Sequence, residues 1–555
     1  MKGDFEHPLN LKLELARWLA LASLLITVTK AFYDIILHES RLFKLLLKKQ
    51  HVVVCGLGRV GLQLAREFAE SGKHVVALEP NPNNPNVQAA REAGVTVIAG
   101  DASDPDVLKR AHIGKAEKII TVCGDEQTNI AVAAAAGKIL ANSKPRQNPS
   151  TPLECWIFIA NQRLRSSLQQ EGLFPHQGPN FQVNVSGLNL FELAARQVFA
   201  DSPLDYEKIG PDDARTVHLV IVGFGEMGQH LAIQAAKIGH FANFKKLKIT
   251  IIDSADSKRP ADFLNRFADN PVPFTEICDV AQRKTLNPNA DTSVIARDII
   301  NSTDSAGVAK ELVTFAFCWD SHFDSSVDED EMFSRLEHDD PTNLAWALEL
   351  RRSYPDKDVP ILIFQTRENG FGALFTQDAG ASIGPRMHAF GMIEQTCSME
   401  TLLREREDLI AKALHDAYNG RHPPAQGEPP APSWNELSKE LKDSNRNAAD
   451  HIPIKLRAIN YRIESLDNPP KGAPLREMPD GEKFKLLAQL EHVRWCDDLY
   501  LQGYRYAPGK RNRKAKTHGC LKKWEDLGDE QEKDYEQIRA IPKALDKAGY
   551  GIYPK

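Results

Sequence analysis

Three glycines, Gly56, Gly58 and Gly61, and a carboxylate at Glu79 are the residues whose types and spacing best suit a defined chemistry. In Gly56-Leu57-Gly58-Arg59-Val60-Gly61 the spacing is GxGxxG. The first glycine permits a tight bend, the second lets a pyrophosphate approach the backbone, and the third lets a helix pack closely on the strand before it. Glu79 follows about 18 residues after Gly61, where a carboxylate can accept both hydroxyls of an adenosine ribose. The chemistry implied is nucleotide binding. The alternative is the same fold with an empty crevice.

Such a turn works only between a buried strand and a helix, and the flanking residues supply both. Val52, Val53 and Val54 form a short β-branched run suited to a buried parallel strand. Leu62, Leu64, Ala65, Phe68 and Ala69 recur at helical spacing, and Gly72 ends that helix. Val75 to Leu78 makes a second strand with Glu79 at its end. Val95 to Ala99 makes a third, closed by Gly100-Asp101-Ala102. Lys118 to Cys123 and Trp156 to Ala160 continue the series, with a helix over Leu188 to Phe199. The alternation predicts a doubly wound parallel sheet. Asp101, at the carboxyl end of its strand, is either a ligand residue or the N-cap of the next segment.

The pattern then starts again. Val217 to Val222 leads into Gly223-Phe224-Gly225-Glu226-Met227-Gly228, a second GxGxxG, with Asp253 ending the strand Leu247 to Ile252. Ile277-Cys278-Asp279 echoes Gly100-Asp101. Asp298 to Ser302 and Thr314 to Cys318 read as later strands, and Ile361 to Phe364 is expected to close the sheet. Gly223, Gly225, Gly228, Asp253 and Asp279 thus make a second, weaker candidate site. It is weaker because Glu226 puts an acid at the helix N-terminus that a pyrophosphate would need. The acidic residues from Asp320 through Asp324, Asp328, Glu329, Asp330 and Glu331 read as an exposed loop without EF-hand spacing.

The whole chain of 555 residues, 42% hydrophobic and 26% charged, is long enough for three or four ordinary domains. A net charge of −6 gives no reason to expect nucleic acid as a partner. Eight cysteines occur singly, without CxxC pairs or zinc spacing, which reads as free thiols in a reducing compartment and no metal site. Residues 16–38 hold an apolar core, Trp18 to Val28, followed by Arg41, Lys44, Lys48 and Lys49. This is either an inner-membrane helix with the remainder on the cytoplasmic face or an amphipathic helix on a membrane or partner.

Two tandem units, each with GxGxxG, a terminal acid and a GDA-like turn, resemble the regulator-of-potassium-conductance (RCK) domains of prokaryotic potassium channels and uptake systems. The resemblance implies NAD(H), ATP or ADP in the first unit. Gly56, Leu57, Gly58, Arg59, Val60 and Gly61 would meet the phosphates, Glu79 the ribose, and Asp101 with Ala102 the adenine. It also implies a homodimer or larger ring, and a membrane channel subunit as partner. An inner/outer helix pair and a TVGYG-like filter are missing from this sequence, so the chain alone is not expected to form a pore.

The last third is mainly helical beyond a Pro/Gly-rich stretch, Asn419 to Ser433. Glu400 to Tyr418 and Trp434 to Ile463 read as helices, and a last helix ends near Ala540. EHxRW at 491–495, GYxY at 503–506, Lys516, His518, Leu521 and Trp524 resemble the ryanodine-receptor (RyR) repeat. Arg494, Trp495, Tyr504, Tyr506, Lys516, His518 and Trp524 are then candidates for a second ligand, the basic loop holding phosphate and the rings stacking a base. Equally, Trp495 and Trp524 read as core.

The expected organisation is residues 1–49 as helix and linker, 50–205 and 215–395 as the two Rossmann-like domains, and 400–555 as the helical domain. The expected function is nucleotide-sensing regulation of ion transport without catalytic residues. Two alternatives are a soluble effector that detects a nucleotide signal in stress or phage defence, and an NAD(P)-dependent oxidoreductase. The second would need an acid/base group facing a nicotinamide.

Overall fold

The computed structural model describes residues 15–29, 50–142, 153–159, 164, 183–285, 288–303, 309–321, 329–355, 358–367, 386–398, 405–421 and 431–555. They divide into two compact units, one built mainly on residues up to 157 and the other mainly on residues from 186 onward.

The first unit centres on strands β1 (Val52–Cys55), β2 (Val75–Glu79), β3 (Thr96–Ala99), β4 (Lys118–Thr121) and β5 (Leu153–Phe158), with β6 (Val183–Leu188) completing a six-stranded sheet in the order β3-β2-β1-β4-β5-β6. The pairings of β1 through β5 are parallel. Every residue of β1 and β2 is buried, as expected for a parallel sheet covered on both faces. The helix Arg59–Glu70 turns Val60, Leu64, Ala65 and Phe68 inward at helical spacing and leaves its charges outside. Strand β6 falls where only a helix from Leu188 was expected. That helix is Leu190–Asp201, capped by Asn189 on the backbone N–H of Glu192.

The second unit repeats the topology. Strands β7 (Thr216–Val222), β8 (Lys248–Ser254), β9 (Asp279–Thr285), β10 (Glu311–Phe317), β11 (Ile361–Phe364) and β12 (Met387–Phe390) form an all-parallel sheet in the order β12-β11-β10-β7-β8-β9. Numbered within its own sheet, this is the same 3-2-1-4-5-6 order as the first. The chain therefore carries two tandem Rossmann-like α/β sheets followed by a mainly helical region.

Several expectations need correction. Asp298 to Ser302 is not a strand: the helix Pro288–Ile300 runs through it, with Ala296 and Ile300 buried four residues apart against the sheet. Its Ile299-Ile300 pair looks strand-like, but tertiary packing overrides that local preference. Ile361 to Phe364 does not close the sheet, because β12 lies outside it. The acidic stretch is not a uniformly exposed loop: Asp320 is 5% exposed and Glu329–Ser353 is a helix. Asp324 and Asp328 lie outside the described residues.

In the last third, the helices Glu405–Arg421, Lys439–Asp450, Ile452–Ala458, Glu482–Leu501 and Gln531–Lys547 enclose one apolar core that includes Leu414, Ile452, Leu487, Trp524 and Ile541. Tyr461 to Ile463, expected as the end of a helix, is strand instead. Strand β13 (Tyr461–Ser465) pairs antiparallel with the C-terminal strand Tyr550–Pro554, and the last helix continues to Lys547. This helical region is fixed to the helix Leu190–Asp201 and the segment after it, within the same unit. Arg196 donates two hydrogen bonds to Asp450, at 2.7 and 2.8 Å, and Arg457 does the same to Asp205, at 2.6 and 2.8 Å. Arg196 is 6% and Asp205 3% exposed, so these paired contacts are shielded from water. In the N-terminal segment, a helix spans residues 15–29 with Trp18, Leu21, Leu24 and Leu25 exposed. No helix among the described residues is long and apolar enough to cross a membrane. Residues 30–38 of the expected anchor lie outside them.

Candidate functional site

The first glycine turn is built as its sequence predicts. Gly56 has φ +96°, and a Cβ there would lie 2.5 Å from the Val122 carbonyl oxygen. Only glycine fits that combination of conformation and contact. Gly61 packs so tightly that a Cβ would lie 2.0 Å from the Gly56 carbonyl oxygen. Gly58 differs. Its backbone, φ −64° and ψ −169°, is one that any residue adopts, so the fold itself does not require glycine there. It opens the helix Arg59–Glu70, whose first turn contains no acid. A helix N-terminus with no acid in its first turn favours an anion.

Glu79, at the end of β2, is 6% exposed. Its Oε2 accepts the backbone N–H of Leu57 at 3.0 Å and its Oε1 that of Asn81 at 2.9 Å. The carboxylate is thus aimed by the backbone of the turn it serves. Each oxygen keeps a lone pair for a further donor. Asn86 holds the Leu57 carbonyl from the other side, Nδ2 donating at 2.8 Å, with Asn84 at 3.3 Å. The sequence reading missed these two asparagines, whose only signal was the Asn-rich run directly after Glu79. Asp101 is exposed at the carboxyl edge, and its Oδ1 accepts the N–H and hydroxyl of Ser103. It is not the N-cap of the next helix: Asp104 is. Ala102 is buried beneath.

The second turn has the same frame. Gly223 has φ +91° and would place a Cβ 2.4 Å from the Cys318 carbonyl oxygen, while Gly228 would place one 2.4 Å from that of Gly223. Asp253, the last residue but one of β8, lies in the register of Glu79 and accepts the Ser257 hydroxyl at 2.5 Å. Asp279 was expected beside it and is not. It is the first residue of β9 and pairs with Lys248, whereas Asp253 pairs with Lys284. Asp279 therefore sits at the opposite edge of the sheet from the glycine turn, and the Gly100-Asp101 analogy fails at this position.

The sequence reading also missed what fills the second turn. Asp320, taken as part of an exposed run, lies with its carboxylate on Gly225 and forms an ion pair with Arg259. Burial pushes its pKa up to about 7, Arg259 pulling it down and Asp253 and Asp339 adding to the rise.

In the helical region the seven candidate residues separate into interior and surface. Arg494 is 1% exposed and donates to Glu491 at 2.7 Å, and Glu491 also pairs with Lys455 at 2.6 Å. Arg494 is therefore a core cation and faces no surface ligand. Trp524 is buried against His492 and Tyr535, and Tyr504 is buried with its hydroxyl donating to Glu440 at 2.8 Å. Trp495, Lys516 and His518 are half-buried and Tyr506 is exposed. Trp495 and His518 meet edge to face at 4.8 Å, and Lys516 Nζ donates to the Gln502 carbonyl at 2.9 Å.

Cys496, His492 and Asp534 form a constellation that resembles a nucleophile, base and orienting acid. The His492 to Cys496 distance is 3.4 Å and the His492 to Asp534 distance 3.2 Å. The ring's Nε2 also lies 2.8 Å from the Lys522 carbonyl, which can only accept. Both ring nitrogens then carry protons. Burial opposes that cation, but the bonds to Asp534, Cys496 and Lys522 outweigh it and push His492 up to about 10. An imidazolium cannot take the thiol's proton, and burial pushes the Cys496 thiol up as well. The group is a structural ion pair. Among the described residues, no cluster of three or more His, Cys, Asp or Glu side chains suits a metal ion.

The site and topology together define a chain of two Rossmann-type sheets whose first glycine turn is joined to the buried carboxylate of Glu79. Residues 52–146 match the TrkA-N domain. Over 92 residues the chain is 30% identical to potassium channel protein 1 of Methanocaldococcus jannaschii, covering 17% of this chain and 28% of that one. Over 131 residues it is 25% identical to the Trk system potassium uptake protein TrkA of Mycobacterium tuberculosis, covering 22% of this chain and 59% of that one. The matched segment thus spans less than two thirds of either relative. A structure titled GsuK channel bound to NAD aligns at TM-score 0.37 and 11% identity, over 65% of this chain and 64% of that one.

Proposed function

We propose that this chain is a nucleotide-sensing regulator of potassium transport and that it binds NAD(H), ADP or ATP at the first glycine turn. The observation that carries this reading is Glu79, held at the turn by Leu57 N–H beside an acid-free helix N-terminus. The similarity of residues 52–146 to potassium channel and uptake proteins supports the transport role.

In this reading Gly58 and Arg59 meet the phosphates, Glu79 takes the ribose hydroxyls, and Asp101 lies toward the adenine. Ligand binding acts through whatever contacts it makes in one arrangement and not in another. The output passes to a second copy in a dimer or ring, and to a membrane channel subunit. The exposed apolar helix at residues 15–29 is a means of reaching a membrane or that partner. The helical region resembles a RyR repeat, and its surface group Trp495, Tyr506, Lys516 and His518 is the place for a second small anionic ligand. Lys510, Arg513 and Lys514 lie exposed on the same loop. The chain acts as a sensor and not as an enzyme.

The test is isothermal titration of the full chain with NAD, NADH, ADP and ATP. Glu79→Ala removes charge-assisted bonds to both ribose hydroxyls, at about 1.5–3 kcal/mol each. It should weaken NAD and ATP alike, by at least about tenfold. A variant that binds both as the wild type does would remove Glu79 from the site.

A further inference from the structure

The two glycine turns can be superposed residue by residue through their strand registers. Cys55 pairs with Thr121 in the first sheet, and Val222 with Phe317 in the second. Val122 therefore corresponds to Cys318 and Cys123 to Trp319. The backbone agrees: Val122 N–H donates to the Cys55 carbonyl at 2.9 Å, and Cys318 N–H to that of Val222 at 2.7 Å. A buried asparagine grips the next residue in each unit. Asn129 Oδ1 accepts Cys123 N–H at 2.7 Å, and Asn343 Oδ1 accepts Trp319 N–H at 2.7 Å. One position further on, the first unit has Gly124 and the second has Asp320. Where one turn has no side chain, the other has a carboxylate.

That carboxylate lies on the second glycine. A Cβ built on Gly225 would be 1.4 Å from Asp320 Oδ2 and 2.7 Å from Oδ1. Gly225 itself has φ −74° and ψ −157°, a conformation open to any residue, and it precedes the helix Glu226–Ile238. The second glycine of such a turn is the one a pyrophosphate approaches. Here the approaching anion belongs to the chain, and Arg259 is its counter-cation. We propose that Asp320 is an internal stand-in for a phosphate, which together with Arg259 occupies the second glycine turn and keeps that unit closed to nucleotide.

The arrangement accounts for three facts with one cause. Glycine is present at 225 although its backbone does not require it. A carboxylate is buried at 5% exposure where the like charges of Asp253 and Asp339 oppose it. Arg259 pairs with Asp320 while the charges of Asp253 and Glu226 also favour its cation. The inference concerns the second turn only and stands apart from whether the first turn binds nucleotide.

The experiment is a double-mutant thermal cycle on the full chain. Gly225→Ala in the wild type drives a methyl into the Asp320 carboxylate and should lower the melting temperature by roughly 3–10 °C. In the Asp320→Ala background the same change should cost less than about 2 °C, since the obstructing group is gone. Arg259 keeps Asp253 and Glu226 as partners, so this background should fold. If it does not, Asp320→Ser serves the same cycle. Equal costs of Gly225→Ala in both backgrounds would overturn the proposal.

A second readout uses inorganic pyrophosphate as the probe. Removing Asp320 takes away the ion-pair partner of Arg259 and the carboxylate on Gly225, so millimolar pyrophosphate should raise the melting temperature of Asp320→Ala more than that of the wild type. Equal shifts in the two proteins would overturn the phosphate stand-in. Absence of any wild-type shift would bear only on the first turn.

Discussion

Separate replacement of Gly56 and Gly58 distinguishes a glycine the fold needs from one a ligand needs. Gly56→Ala puts a side chain at φ +96° and a Cβ 2.5 Å from the Val122 carbonyl oxygen. The conformation costs about 1 kcal/mol and the overlap about 1–3 kcal/mol. At roughly 2–4 °C per kcal/mol for a unit of this size, the melting temperature of the first unit should fall by roughly 4–16 °C. Gly58→Asp should behave oppositely. Its φ and ψ suit any residue, and aspartate at a helix N-cap is favoured. Its melting temperature should stay within about 2 °C of the wild type. The assay is a thermal scan of each variant with and without ADP. Wild type should gain stability with ADP, while Gly58→Asp should gain none because its carboxylate lies where the phosphates would. An unfolded Gly58→Asp, or a Gly56→Ala as stable as the wild type, would refute the reasoning.

Further predictions follow from the buried charges. Glu491→Ala leaves Lys455 and Arg494 buried without their shared partner. It should destabilise the helical region by about 3–5 kcal/mol, read from tryptophan fluorescence in urea. His492, pushed up to about 10 from about 6.5 when unfolded, stabilises the fold as a cation. Its contribution is complete below about pH 6.5 and is lost as pH rises toward 10, a change on the order of 5 kcal/mol. Urea titrations at several pH values should show that slope, and His492→Gln should flatten it. Glu311, held down at about 2, works in the other direction: burial opposes its charge, but His218 and Lys248 outweigh burial. Stability from this carboxylate is present above about pH 4.5 and lost as pH falls toward 2, and Glu311→Gln should remove that acid-side loss.

Much of the fold was legible because parallel sheets advertise themselves. Val52 to Val54 and Val217 to Val222 are apolar runs ending in glycine turns, and both became central strands with the expected helices behind them. The errors arose where local pattern and tertiary environment diverged. Ile299-Ile300 looks like a strand in sequence, but its neighbours at helical spacing face the core. Asp279 looks like Asp101 in sequence but begins a strand where Asp101 follows one. Val-Cys-Gly-Asp at 122–125 and Phe-Cys-Trp-Asp at 317–320 share a Cys-x-Asp spacing that invites alignment of their cysteines and acids. The strand register shifts that match by one, so Asp320 corresponds to Gly124 and not to Asp125. No periodicity argument exposes a one-residue shift, because both segments follow a buried strand. The first glycine turn and the acid joined to it were readable because these residues lie close together along the chain. The filling of the second required Gly225 and Asp320 to meet across nearly a hundred residues.

The most direct test is the number of adenine nucleotides bound per chain, counted by native mass spectrometry of the full-length protein titrated with ADP and NAD. The account predicts a single nucleotide per chain at saturation, lost in Gly58→Asp and retained in Gly225→Ala. Binding of neither nucleotide would contradict the reading of the first turn, and two per chain would contradict the closure of the second.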